Sequence, residues 1–211
     1  MSTYPDVYAE IINRCKFMDI IFLGSDSFIG RLIREGQSSQ TPDHKPSDWS
    51  HVCFYYNEHL ILESTIGFER YKDGSIFSNG VQFYSLRERL ASSGYNVAIA
   101  RLGDDALRDV AFSRAVAKLR ENIKYPIMGL IGSLLTYKFF KGRHANPLSG
   151  HKLYCSAFVA ECIGDEEIIR RQAKYLKYPY NSYNFDNISP ELLYQMYQDE
   201  VLDLVSKGYY L

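Results

Sequence analysis

Two short segments of this chain place a base and a nucleophile at the starts of regular apolar runs. His51 follows Trp49-Ser50 and begins a run whose residue types are typical of a β-strand. Cys155 begins the segment 155–159 (CSAFV), whose residue types are typical of a helix. Unpaired N–H groups and the helix dipole favour a thiolate at a helix N-terminus, and an imidazole beside it can transfer protons. The pair therefore predicts nucleophilic acyl chemistry.

The other cysteines have simpler interpretations. Cys162 falls in the middle of the same predicted helix as Cys155, and Cys15 and Cys53 are interpreted as small buried hydrophobic residues. Cys155 and Cys162 are seven residues apart, so their Cα atoms would lie roughly 10 Å apart on a helix, too far for a disulfide. Reduced thiols favour an intracellular setting, and we expect a cytoplasmic protein.

Four further histidines fall in predicted loops or turns, where solvent exposure is the expected state: His44, His59, His144 and His151. His151 lies four residues before Cys155 and is the one alternative to His51 as the base. No group of histidine, cysteine and carboxylate residues has the spacing of metal ligands. We therefore expect neither a metal nor another cofactor.

A third residue is needed to orient the imidazole, and Glu63 in the run 60–64 (LILES) is the candidate. Side chains alternate along a strand, so His51 and Cys53 share a face. Glu63 joins that face only if an odd number of residues closes the hairpin. A three-residue turn, 57–59, places Glu63 opposite Cys53, whereas a two-residue turn places it on the other face. The alternative interpretation of Glu63 is a carboxylate at the sheet edge that points into water.

Four further residues have both functional and structural interpretations. Tyr154 precedes the candidate nucleophile and Ser156 follows it, so either could bind substrate or help to stabilise an oxyanion. Asp19 opens a predicted strand and could serve as a turn or cap residue, and Ser50 could form a local hydrogen bond. For all four, the structural interpretation is preferred.

The elements that must position these residues follow from apolar periodicity, capping residues and turn signals. The predicted strands are 19–23, 51–56, 60–64, 81–84 and 96–102. The predicted helices are 4–16, 27–35, 104–122, 127–140, 154–163 and one that begins at Ser189-Pro190, with loops at 37–48 and 142–150. Strands cluster in the first half and helices in the second, which predicts an α+β fold with an antiparallel sheet. A length of 211 residues predicts one domain, 1–211.

Composition narrows the choice of partners. The formal net charge is −1 and the basic residues are scattered, so nothing favours a nucleic-acid partner. No signal peptide is predicted at the N-terminus, and the longest apolar stretch, 127–140, is too short and too interrupted to cross a bilayer. The 18 tyrosines are compatible with a sheet-containing core that lines an amphipathic pocket. The oligomeric state is left open.

The order of five segments carries a family resemblance. These segments are 19–22 (DIIF), 50–52 (SHV), 61–64 (ILES), 154–159 (YCSAFV) and 189–192 (SPEL). Together they resemble the circularly permuted, papain-like NlpC-type hydrolases, a group that includes lecithin:retinol acyltransferase-like enzymes and some poxvirus proteins. The cysteine helix precedes the histidine strand in unpermuted NlpC-type enzymes, whereas the order here is reversed. Met18 stands where many members have glycine, and Cys53 where a small or aliphatic residue is usual.

This resemblance implies a fold and an activity. The fold would be a permuted papain-like one, with an antiparallel sheet packed against helices. The activity would be cleavage of amide or ester bonds through an acyl-enzyme, with Cys155 as nucleophile, His51 as base and Glu63 orienting His51. Cell-wall peptides, N-acyl amino acids and lipid acyl groups all suit this scaffold. The alternatives are a lipid acyltransferase or thioesterase on the same triad, and a non-catalytic binding module that keeps the fold.

Overall fold

The computed structural model describes residues 4–65, 80–91, 95–123, 154–175 and 188–206. Within them the chain forms an α+β fold with a six-stranded antiparallel sheet, whose order is β4-β3-β2-β1-β5-β6. The strands are β1 Ile20–Ser25, β2 His51–Tyr55, β3 Leu60–Thr65, β4 Gly80–Ser85, β5 Tyr95–Ala100 and β6 Val201–Ser206. The helices of this part are α1 Tyr4–Arg14, α2 Phe28–Gly36, α3 Leu86–Ala91, α4 Asp105–Arg120, α5 Cys155–Ile163, α6 Asp165–Tyr175 and α7 Pro190–Tyr197.

The predicted α+β class and antiparallel sheet are confirmed, and most predicted elements are found within a few residues of their expected ends. Three elements were not predicted: the short helix α3, the polar helix α6 and the last strand β6. β6 pairs with β5, so the sheet also uses the C-terminal part of the described chain. The predicted helix 127–140 and loop 142–150 lie outside the described residues.

The sheet is buried on both faces, because strand residues alternate between two hydrophobic clusters. Val52 and Phe54 of β2 belong to the first cluster, which also contains residues of α4, α5 and α7. Cys53 and Tyr55 belong to the second cluster, which contains residues of α1 and α3. The described residues therefore form helices, sheet and helices in three layers.

The cysteine helix α5 lies almost entirely inside the first cluster. All of its residues except Glu161 are buried, and it packs against β2, β3 and α4. Phe158 meets Phe54 edge-on, with ring centroids 6.0 Å apart. The helix ends at Gly164, whose φ of 103° favours glycine, and Arg114 donates to the Ile163 carbonyl at 2.9 Å. The C-terminal end of α5 is thus fixed by Gly164 and by the contact with Arg114.

The structural interpretation of Asp19 is confirmed. Its carboxylate is fully buried and accepts a hydrogen bond from the backbone N–H of Lys16 at 2.8 Å. Nε of Arg101 lies 3.1 Å from the same carboxylate. These contacts close the turn between α1 and β1 at one end of the sheet. His51 lies at the opposite end, paired with Leu23.

The first strand, predicted as 19–23, extends further than expected. β1 continues to Ser25, and Gly24 pairs with Asn96 of β5. A Cβ at Gly24 would lie 2.0 Å from the carbonyl oxygen of Asp48. The absence of a side chain therefore lets the segment that leads into His51 approach β1 closely.

Gly24→Ala is expected to destabilise the fold, because the added methyl group would displace the backbone at Asp48. The expected loss is about 1–3 kcal/mol in the free energy of unfolding. Chemical denaturation would measure it, with the exposed helix position Glu35→Ala as the control. A Gly24→Ala protein as stable as the control variant would contradict the close approach.

Candidate active site

The hairpin of β2 and β3 closes with three residues, as the predicted site requires. Phe54 pairs with Leu62 and Tyr55 with Ile61, which leaves 57–59 as the turn. The turn is held by Asn57, whose side-chain oxygen accepts from the backbone N–H of Leu60 at 2.9 Å. An odd closure puts Glu63 on the strand face of His51. The parity prediction is therefore confirmed.

Glu63 and His51 form a direct hydrogen bond. Nε2 of His51 lies 2.8 Å from Oε2 of Glu63. The Glu63 side chain is fully buried and that of His51 is 16% exposed. Since β3 lies between β2 and β4, the alternative interpretation of Glu63 as a carboxylate at the sheet edge is wrong.

The second oxygen of Glu63 has its own donors. Nε2 of Gln82, which pairs with Glu63 across β3 and β4, lies 3.3 Å from Oε1. The guanidinium of Arg89, in the last turn of α3, donates to the same oxygen. Burial alone would raise the pKa of Glu63, but the charge of Arg89 and the hydrogen bond with His51 hold that pKa at about 2. Glu63 is therefore an anion at neutral pH.

Cys155 interacts electrostatically with the His51 ring. It is the first residue of α5 and is 4% exposed. Burial would lower the pKa of His51, but the charge and hydrogen bond of Cys155, together with Glu63, raise that pKa to about 9. Because Nε2 of His51 is engaged by Glu63, Nδ1 is the ring nitrogen left for Cys155.

These contacts connect the two helical layers through the sheet. Arg89 belongs to α3, whose Leu86 and Leu90 lie in the second hydrophobic cluster. Cys155 belongs to the first cluster. His51, the first residue of β2, interacts with the Cys155 side chain and with Glu63. Glu63 in turn is bound by Arg89. The arrangement couples a nucleophile, a proton carrier and a buried anion electrostatically.

The flanking residues Tyr154 and Ser156 are both buried. The Tyr154 carbonyl accepts from the backbone N–H of Phe158 at 2.9 Å, the first backbone hydrogen bond of α5. The Ser156 hydroxyl has no hydrogen-bond partner among the described residues. Their roles in binding substrate or an oxyanion stay predictions.

The N-terminus of α5 differs from those of α2, α4 and α7 in its capping. Within the described chain, α2, α4 and α7 each have a side-chain cap, from Ser27, Asp104 and Ser189. The Tyr154 side chain makes no such hydrogen bond to the first turn of α5. First-turn N–H groups of this helix are therefore not capped by the residue that precedes Cys155.

The remaining predicted candidates are placed as follows. Ser50 accepts from the backbone N–H of Ser25 at 2.9 Å, which confirms its structural interpretation. His44 and His59 are exposed, as predicted, whereas His144 and His151 lie outside the described residues. All four cysteines are free thiols, and burial raises the pKa of three of them: Cys15, Cys53 and Cys162.

The described ranges contain no cluster of three or more histidine, cysteine or carboxylate side chains that could hold a metal ion. Across the same ranges, every helix is too short or too polar to cross a membrane.

Sequence reasoning missed two residues of the site, Gln82 and Arg89. Gln82 lies in a predicted strand, and pairing that strand with 60–64 in this register would have placed it opposite Glu63. Arg89 gave no such signal, because the six-residue helix α3 was not predicted. The site therefore has more polar contacts than the predicted triad.

Comparisons with known proteins do not assign a role to these residues. A scan against family models gives no match, and a search of curated proteins gives none either. The function is therefore argued from the geometry of the side chains.

The imidazole of His51 is expected to titrate above its ordinary pKa of about 6.5. Glu63→Gln should lower this pKa, because the substitution removes the negative charge beside Nε2 and keeps an acceptor. Nuclear magnetic resonance titration of the ring would measure both values. The control is Glu58→Gln, which changes the carboxylate that pairs with exposed His59 in the same hairpin. An equal effect of the two substitutions on His51 would contradict the predicted coupling.

Proposed function

We propose that this chain is a cysteine hydrolase that cleaves amide or ester bonds through an acyl-enzyme on Cys155. One observation carries the proposal: the His51 ring interacts at once with the buried anion Glu63 and with Cys155 at a helix N-terminus. A base that is electrostatically coupled to a thiol, and itself oriented by a third group, is the arrangement of nucleophilic acyl transfer.

In the first step, His51 holds the proton of the Cys155 thiol, as its raised pKa favours, and the sulfur bonds to the carbonyl carbon of the substrate. The carbonyl oxygen becomes an oxyanion. Backbone N–H groups in the first turn of α5, including that of Cys155, point towards the N-terminal end of the helix and would stabilise this charge. The lack of a side-chain cap from Tyr154 supports this role.

In the second step, the intermediate collapses, and protonated His51 donates its proton to the leaving amine or alcohol. A thioester on Cys155 remains. His51 then takes a proton from water, which attacks the thioester carbon. Collapse releases the acid and returns the proton to the Cys155 sulfur.

Glu63 keeps His51 in the orientation and charge state that both steps need. Its hydrogen bond to Nε2 fixes the ring, and its charge stabilises the imidazolium that forms in each step. The depressed pKa of Glu63, about 2, keeps this charge at neutral pH. The negative charge of Glu63 agrees with the raised pKa of His51, because an anion stabilises the protonated ring.

We infer a permuted papain-like arrangement as the fold behind this chemistry. The support is the chain order His51, Glu63, Cys155, together with an antiparallel sheet that packs against the cysteine helix. The proposed substrates are small amides, peptides or acyl esters, and the cytoplasmic location remains a prediction from the sequence. An amine or alcohol acceptor in place of water would make the same site an acyltransferase.

Cys155 is expected to be the fastest of the four thiols towards iodoacetamide at neutral pH, at least about tenfold faster than a free cysteine. His51→Gln should remove most of this advantage. Mass spectrometry of the labelled peptides gives each rate, and buried Cys162 serves as an internal control, because burial raises its pKa. A Cys155 that reacts like free cysteine and ignores His51→Gln would contradict the activated nucleophile.

Turnover is expected on a panel of N-acyl amino acids, short peptides and acyl esters. His51→Gln should lower kcat/KM on the best substrate by about 10²–10⁴-fold, the usual contribution of a general acid–base. Cys162→Ser is the matched control and should retain activity, since Cys162 lies at the other end of the same helix. Failure of the whole panel, with Cys155 unreactive, would favour the non-catalytic binding module instead.

A further inference from the structure

Arg89 is the one cation that contacts the candidate active site within the described part of the chain. Its side chain is 20% exposed and its guanidinium donates to Oε1 of Glu63. The guanidinium also lies over the ring of Tyr84, 4.7 Å from the centroid. Arg89 therefore contacts both β3 and β4.

The two oxygens of Glu63 have separate partners. Oε1 accepts from Arg89 and Gln82, whereas Oε2 faces His51. A carboxylate gripped at one oxygen has its rotation fixed, so the direction of the other oxygen is fixed as well. We propose that Arg89 is a positioning residue of the candidate active site, which grips Oε1 of Glu63 and thereby aims Oε2 at Nε2 of His51. The inference rests on the proposed function, since it concerns the reactivity of Cys155.

Charge gives Arg89 a second effect on the same site. A fully buried carboxylate is costly as an anion unless a cation or several donors face it. The groups around Glu63 come from every element packed there: His51 and Cys53 of β2, Gln82 of β4, Arg89 of α3 and, through His51, Cys155 of α5. Arg89 makes the largest favourable contribution to the lowered pKa of Glu63. Without Arg89, Glu63 would take up a proton at a higher pH, and His51 would lose its anionic partner.

The same helix provides a matched control. Arg87 lies two residues before Arg89 in α3, and its guanidinium lies over the ring of Tyr8, 4.8 Å from the centroid. Arg87 contacts α1 instead of Glu63. Substitution of Arg87 therefore removes a similar cation–ring contact of α3 without touching the proposed site.

The test compares Arg89→Met, Arg89→Lys and Arg87→Met by the pH dependence of Cys155 alkylation with iodoacetamide. Arg89→Met should slow alkylation about 10–10²-fold at neutral pH, through misplacement of His51. It should also move the acidic limb of the profile to higher pH, because Glu63 then protonates more easily. Arg89→Lys, which keeps the charge, should restore the limb and part of the rate. Arg87→Met should match the wild type.

A merely structural role for Arg89 would lower stability without moving the acidic limb, so a wild-type limb and rate in folded Arg89→Met overturn the proposal. If Arg89→Met does not fold, Arg89→Gln, which keeps a donor without the charge, carries the same expectations and the same refuting result. Failure of the proposed function is a different outcome. In that case wild-type Cys155 itself would show no dependence on His51.

Discussion

A buried negative charge is the constraint on which this site depends. Glu63 is fully inside the protein, and an isolated carboxylate there would cost several kcal/mol. Three donors offset that cost: His51 of β2, Gln82 of β4 and Arg89 of α3. The charge is therefore tolerated only if the β2–β3 hairpin, the β3–β4 pairing and α3 are all in register.

The same charge explains the electrostatics of the rest of the site. An anion at Nε2 favours the protonated form of His51, and Cys155 acts in the same direction from α5. Because the ring interacts with both, groups of the two helical layers meet at the first residue of β2. A shift of β2 by one residue would turn His51 to the other face and separate Glu63 from it. The site therefore forms only when the strands that carry it have the observed register.

The parts of the site that are local in sequence were predictable. The three-residue turn follows from Asn57 and the alternation of the two strands, and it places Glu63 on the face of His51. The start of α5 follows from its apolar run, and its end from Gly164. These features depend on periods of two and 3.6 residues and on a glycine at a helix end.

The parts that depend on tertiary contacts were not predictable. Arg89 lies in a six-residue, charge-rich helix that resembles a solvated segment, and only its packing brings it to Glu63. The first strand was expected to end at residue 23, but it includes Gly24, which lies against the backbone of Asp48, a residue distant in sequence. Apolar spacing predicted α2 but not its burial, since Phe28 is 71% exposed. Periodicity identifies an element, whereas its partners follow from the complete fold.

The most direct experiment on the proposed nucleophile is mass spectrometry of the protein quenched during reaction with a small activated ester. One acyl group per chain is expected, located on the peptide that contains Cys155, and none in Cys155→Ala. The acyl group should disappear with time as water attacks the thioester. Product release without any acylated Cys155, or an acyl group that maps to another residue, would contradict an acyl-enzyme on Cys155.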